Sequence, residues 1–349
     1  MNGRLFFYLL AVTALSIIAA VFTIRHNSEF SSAQGIGHAA FPSLNLDPDS
    51  ATKLIVKTGS RTIGFRRTTD SSWVAEDKFE YPIAPRLIGR IISQLASMRR
   101  IEAKTRLSER FKLVGTESPD NPQTNSVLIR LENSKGRALV DTILGAQIKG
   151  RVDGTRDASF IREKNDQQVW LVTGSIDVPN SLVGWLDTRV INIDNQDIKK
   201  ISFLSPEGSI YVVARPSATA RFAYRGPSGV QFMDKNVADR LSNSLAKVSL
   251  VDVWPHKKRI IPKVHLKFIV VTFSGTKIVG RLWKYKNSDL ISLRVDLEIE
   301  DKKWGSVTKK WKLNDRLSKW VYAIPNWQAE RFLAPASWLE ARIKGGLRQ

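Results

Sequence analysis

The stretch GWLDTRV at residues 184–190 returns as SWLEARI at 337–343, and the likeness extends well upstream of both. Each heptad reads small residue, Trp, Leu, acid, any residue, Arg, aliphatic. Each follows a short β-rich run with a central aromatic, Trp170 in VWLV and Tyr322 in VYAI, and then a polar turn. Trp185 and Trp338 stand 153 positions apart. A second pair keeps nearly the same offset. YPIAPRLIGRIISQLASMRRIEA (81–103) aligns with QFMDKNVADRLSNSLAKVSLVDV (231–253), setting Leu87, Leu95 and Ile101 against Val237, Leu245 and Val251, each 150 positions on. Before each lie two β-rich runs around a Gly-Ser turn, then an aromatic strand at Trp73 or Phe222. Four landmarks recurring in one order imply a tandem duplication, expected as one module over 51–196 and another over 197–349.

Periodicity gives the class of each module. Leu87, Ile88, Ile91, Ile92, Leu95 and Met98 form one apolar helical stripe, with Arg86, Arg90 and Gln94 facing away. Pro85 suits the first turn of that helix. Asp234 is the expected N-cap of its counterpart, whose stripe is Val237, Leu241, Leu245 and Val248. SVLIRLENSKGRALVDTIL (126–144) and VHLKFIVVTFSGTKIVGRLWKY (264–285) read as hairpins around Asn-Ser-Lys-Gly and Ser-Gly turns. Strands joined by hairpin-length turns, with interspersed helices, predict an antiparallel α+β fold rather than a parallel doubly wound sheet.

From Leu5 to Ile24 no residue is charged, a run of about 20 that suffices to span a bilayer core. Residues 1–26 are therefore expected to be an uncleaved transmembrane anchor, and the Ser-, Gly- and Pro-containing segment 27–50 a tether. Arg4 on one side and Arg25 on the other nearly balance. The short tail before the span is most easily left in the cytoplasm, with the bulk of the chain outside. Lys plus Arg number 54 against 33 Asp plus Glu, a net charge of +21 that calls for anionic surroundings. With no cysteine, disulfides, thiolate catalysis and Cys-ligated zinc are excluded.

Trp73-Val-Ala-Glu with YPIAPRLIGRIISQLASM, then LGAQIKG (144–150), ASFIREKNDQQVWLV (158–172) and WLDTRVINIDNQDIKKISF (185–203), resemble the domain-of-unknown-function 4340 family. The resemblance covers about residues 50–255. It implies a bacterial protein with one N-terminal membrane anchor and an α+β region outside the cytoplasmic membrane. Some members are associated with ABC-type exporters of the gliding-motility kind. Where the family often carries Tyr-Gly-Leu-x-x-Pro, this chain has FKLVGTESPDNP (111–122). The family brings no catalytic residues to carry over.

No catalytic or cofactor-binding pattern emerges, and no cofactor is expected. His26, His38, His256 and His265 do not pair at metal-ligand spacing. There is no P-loop and no nucleophile elbow. Glu298, Glu300 and Asp301 cluster, but alternation explains the two glutamates as one solvated strand face. Trp185 with Arg189, and Trp338 with Arg342, fall one helical turn apart. That spacing allows a cation–π contact locking each helix end, or an exposed anchor for a partner. The strongest interaction signal is a basic–aromatic belt. Trp283, Lys284 and Lys286 lie in RLWKYK; Lys302, Lys303, Trp304, Lys309, Lys310, Trp311 and Lys312 lie in DKKWGSVTKKWKL. Such a belt is either a hairpin with Trp inward and Lys in solvent, or a surface that rests on anionic lipid, envelope polymer or a partner. Nucleic acid is not an expected partner for a region across the membrane. The expected function is non-enzymatic: an accessory subunit docked on an ABC permease and ATPase at the bacterial inner membrane, with its bulk periplasmic. The alternative is an envelope glycan- or peptidoglycan-binding module.

Overall fold

A computed structural model describes residues 8, 12–21, 35–59, 61–152, 156–204, 210–224, 236–258, 264, 266–284, 291–299 and 317–332. These are mostly antiparallel sheet with a few helices, the α+β class that the hairpin spacing implies. The chain forms two compact units, Met1–Trp185 and Leu186–Gln349. The division falls ahead of residue 196 because the strand Arg189–Asn192 pairs forward with Lys247–Ser249, inside the second unit.

In the first unit a short helix α1 (Pro42–Leu46) precedes β1 (Ala51–Thr58), β2 (Arg61–Arg67), β3 (Trp73–Ala75) and β4 (Tyr81–Pro82). Then follow α2 (Leu87–Ser97), β5 (Arg100–Ala103), β6 (Val127–Asn133), β7 (Ala138–Val152), β8 (Arg156–Glu163), β9 (Val169–Thr173) and α3 (Leu182–Trp185). The sheet order is β4-β3-β2-β1-β6-β7-β8-β9-β5. Alternation along β1 aims Leu54 and Val56 at one face. Leu54 sits between Phe65 and Leu131, and Val56 between Ile63 and Ile129, all buried. The stripe residues Leu87, Ile88, Ile91, Ile92 and Leu95 of α2 are buried, as is Met98 just past its end, and α1 packs beside the helix. Pro85, expected in the first turn, lies outside the helix, because the chain turns through Arg86 at φ 64° before the helix begins.

In the second unit β10 (Arg189–Asn192) leads to β11 (Ile198–Leu204), β12 (Ile210–Ala214), β13 (Ala223–Tyr224) and α4 (Val237–Ala246). Next come β14 (Lys247–Ser249), which pairs with β10, and β15 (Asp252–Pro255). The unit continues through β16 (Leu266–Thr272), β17 (Thr276–Lys284), β18 (Ile291–Ile299) and β19 (Trp320–Ile324). The main sheet order is β13-β12-β11-β16-β17-β18-β19-β15. With β1–β3 set against β11–β13, β6–β9 against β16–β19, and β5 against β15, the two sheets share one strand order. Register agrees as well. Ile201 lies between Val213 and Val270, and Phe203 between Tyr211 and Phe268, as Leu54 and Val56 do in β1. An arginine at the end of the second strand of each hairpin, or one residue past it, donates to a carbonyl at the start of the first strand or just ahead of it. Arg67 reaches Asp49 O at 2.8 Å, and Arg215 reaches Ile198 O at 2.7 Å.

Within the segment 27–50, expected as a tether, residues 42–46 are helical and Ala40, Phe41 and Leu44 are buried. Three further expectations need correction. The Asp234 position lies outside the described residues, and α4 starts at Val237 with Asn236 as its N-cap residue. Val248, placed in the helical stripe, belongs to β14, because α4 ends at Ala246. Trp185 and Arg189 are not one helical turn apart. Asp187 accepts the Arg189 backbone N–H at 3.3 Å and its Nε–H at 2.9 Å, a local turn that leads the chain out of α3 into β10. Trp185 is instead core. Its ring lies 4.6 Å from Phe65, and its Nε1–H donates to Pro179 O at 3.2 Å. Trp338 and Arg342 lie outside the described residues.

Of the apolar run Leu5–Ile24, Tyr8 and residues 12–21 are described, and all are helical. Val12, Leu15, Ile17, Ile18 and Val21 are exposed there. Among the described residues no helix is long and apolar enough to cross a membrane.

Candidate interaction surfaces

The belt divides at the end of β17. Trp283, one of the interaction candidates, is 1% exposed and belongs to the core, as in the alternative of a hairpin with Trp inward. Strand alternation alone would not bury it: it lies on the face opposite Leu282, yet both are buried, so both faces of the strand are covered here. Lys284, next along the strand, is exposed. Lys286, Lys302, Lys303, Trp304, Lys309, Lys310, Trp311 and Lys312 lie outside the described residues.

On the same face of the sheet as Trp283 lies an ion cluster. Arg281 and Arg294 are cross-strand partners and would repel one another. Asp296 offsets this. It accepts from Arg294 Nη2 at 3.1 Å and from Arg281 Nη1. Arg294 Nη1 also contacts His256 Nε2, from the turn after β15. A guanidinium only donates, so this nitrogen is the acceptor and the His256 proton sits on Nδ1. Burial, then the Arg294 charge, hold the His256 pKa below the ordinary value, against the opposing pull of Asp296. Of the other histidines, His38 is exposed, and His26 and His265 lie outside the described residues. Glu300 and Asp301 also lie outside them. Among the described residues no group of His, Asp and Glu is placed to hold a metal ion.

The first unit has a buried cation of a different kind. Arg162, 8% exposed, donates from Nε and Nη2 to Thr116 O at 3.1 and 3.0 Å, and from Nη1 to Asp166 O at 3.0 Å. Its guanidinium lies 4.4 Å from the Phe111 ring centre. Burial lowers its pKa, and main-chain carbonyls rather than a carboxylate satisfy it. These contacts clamp the segment 105–116 onto the sheet. Gly145 makes room for it, since a Cβ there would stand 2.2 Å from Val114 O. FKLVGTESPDNP, read as a departure of unclear role, thus begins in a packed 3₁₀ turn, Ser108–Val114.

Two further features lie in the second unit. A polar cleft of about 450 Å³ is lined by Asn192, Asp194, Asn195, Asn243 and Lys247 among others. Trp327 is 56% exposed, with the Arg331 guanidinium 5.0 Å from its ring centre. This pair has the Trp-x-x-x-Arg spacing that sequence assigned to Trp185 and Arg189. Residues 326–332 are helical, and Pro325 just ahead of them is the sequence signal for that start.

The sequence model of the family described as Domain of unknown function (DUF4340) matches residues 73–260, just over half of the chain. The chain belongs to the domain-of-unknown-function 4340 family. No curated protein and no solved structure matches it. The match begins at Trp73, the first residue of β3, and ends past His256. The 4340-family portion therefore contains the Arg162 clamp and Gly145, which give physical reasons for the Leu144-Gly145 and Phe160-Ile161-Arg162 signals.

Proposed function

We propose that this member of the 4340 family is a non-enzymatic accessory subunit of an ABC-type transport complex. In this reading an N-terminal helix anchors it, and two duplicated sheet modules stand on the periplasmic side of the inner membrane. The observation that carries the anchoring is the described helix 12–21, whose aliphatic side chains project outward with Ile18 66% and Leu15 72% exposed. Such a helix suits hydrocarbon better than water. Duplication is supported by the shared strand order and the matching registers. The accessory role is supported by family resemblance and by how the cations are used. Arg162 and Arg215 bond to main-chain carbonyls, Arg130 to Glu132 and Asp141, and Arg281 and Arg294 to Asp296. Contact with a partner falls to Trp327, Arg331 and Lys284, which are exposed, and to the belt residues that follow in the sequence.

A photocrosslinking amino acid at Trp327 or Lys284, in native membranes, tests the docking. Adducts with a transporter membrane subunit are expected. Adducts with no protein at either position, from a correctly folded and membrane-retained chain, would sink the proposal. A second reading, a glycan-binding module, is favoured by the Asn- and Asp-lined cleft, whose amides and carboxylate suit a hydroxyl-rich ligand. Sedimentation with envelope polymers, with Asn243→Ala as the comparison, separates it from the first.

A further inference from the structure

The segment Arg106–Leu113 is held from beneath and bare above. Its underside is Phe111, 8% exposed, pinned by Arg162. Thr116 N–H donates to Phe111 O at 2.9 Å, and Arg110 N–H to Leu107 O at 3.0 Å, closing the turn on both sides of that anchor. On the outside Leu113 is 79% exposed and Leu107 40% exposed. Arg106, Arg110 and Lys112 are exposed beside them, and among the described residues no carboxylate pairs with any of the three. Glu109 is the single acid between positions 106 and 113.

Two outward leucines on a rigid turn, ringed by unpaired cations, form a surface with an apolar tip and a cationic collar. We propose that this turn docks on an anionic lipid surface, with Leu107 and Leu113 entering the headgroup–acyl boundary and the three cations meeting lipid phosphates. Charge complementarity selects the partner. Three free cations against one acid, on a chain of net charge +21, match an anionic bilayer, and long Arg and Lys stems let charge stay at headgroup level while leucine goes deeper. The clamp matters because a preformed turn loses little freedom on docking. The inference extends the membrane reading above but stands on this turn rather than on the N-terminal helix.

The chain lacks cysteine, so a single introduced thiol reports one site. Full-length Leu113→Cys, labelled with an environment-sensitive fluorophore, is compared with Lys135→Cys, in the turn between β6 and β7. Both are mixed with phosphatidylcholine vesicles, with or without about one third phosphatidylglycerol, containing lipid-borne quencher. Carbonate-resistant retention on the vesicles is measured on the same samples. A blue shift and quenching at 113, not at 135, only with the anionic lipid, is the expected result. Arg106→Glu, Arg110→Glu and Lys112→Glu together should weaken this contact by at least about 100-fold, at roughly fivefold for each cation removed. Circular dichroism checks that the variants stay folded. Quenching at 113 without carbonate-resistant retention would support docking while removing the anchor. No quenching at 113, or equal quenching at 113 and 135, overturns docking whether or not the chain is retained.

Discussion

Gly145 and Trp283 occupy the same place in their two sheets. Gly145 follows Leu144, the partner of Ile161; Trp283 follows Leu282, the partner of Leu293. Each following arginine, Arg162 or Arg294, comes next after that partner. In the first unit the glycine admits a polypeptide segment, and Arg162 donates twice to the Thr116 carbonyl of that segment. In the second unit an indole occupies the position, and Arg294 meets His256 and Asp296. In both, the arginine reaches the connection that precedes the second hairpin, 104–126 in one and the shorter stretch from His256 in the other. One framework thus carries two polar solutions: a permanent cation satisfied by main chain, and an ion cluster with a titratable member. Differences at matched positions show where the units part, because the strand order they share cannot account for them.

The largest break in this comparison comes from Trp283→Ala. Emptying a fully buried indole site should destabilise the second unit by about 4 kcal/mol, read from the denaturant midpoint. Gly145→Ala should cost the first unit about 3 kcal/mol, since main chain rather than a movable side chain opposes the new methyl. Trypsin should then cut faster after Arg110 and Lys112, as the lifted segment becomes a better substrate. Arg162→Met strands the Thr116 and Asp166 carbonyls and should cost about 2 kcal/mol. The matched Arg294→Met removes a partly buried ion pair but leaves Asp296 its Arg281 partner, and should cost less, about 1 kcal/mol. Equal costs for the two would erase the distinction drawn between them.

The smallest effect is one of pH. The folded-state pKa of His256 lies below its ordinary value of 6.5, so the unfolded chain takes up the proton first. Stability from the neutral ring is whole above 6.5 and is lost as pH falls from there to the lowered folded value. Protonation also costs the ring its acceptor for Arg294 and sets two cations together. The melting temperature of the second unit should therefore drop between pH 7 and 5, and His256→Gln should flatten that slope. An unchanged slope in the variant would assign the acid sensitivity to other groups.

What sequence carried well was what repeats with a period. The alternating runs at 127–133 and 266–272, their turns, and the aromatic strands around Trp170 and Tyr322 all stand where patterning placed them. So does the α2 stripe, because one buried face fixes a 3.6-residue period. Contacts made at a distance were not legible. Gly145 reads as one more strand glycine until Val114 is seen lying on it. Arg162 alternates like a solvated strand residue, and only the Thr116 and Phe111 contacts make it core. Trp283 shared its sequence neighbourhood with lysines, and composition could not tell a covered indole from an exposed one. The Trp185–Arg189 contact failed for a local reason, the Asp187 turn, which an acid two residues before Arg189 could have signalled. The offset between landmarks also drifted from 150 to 153, because connection and hairpin lengths differ between units, such as β7 at Ala138–Val152 against β17 at Thr276–Lys284.

Co-purification of the full-length chain from its native membranes in mild detergent, with mass spectrometry of whatever remains bound, tests the accessory-subunit proposal most directly. Recovery of an ABC permease together with its ATPase is the expected result. Recovery of the chain alone, still held in the membrane fraction, would contradict it.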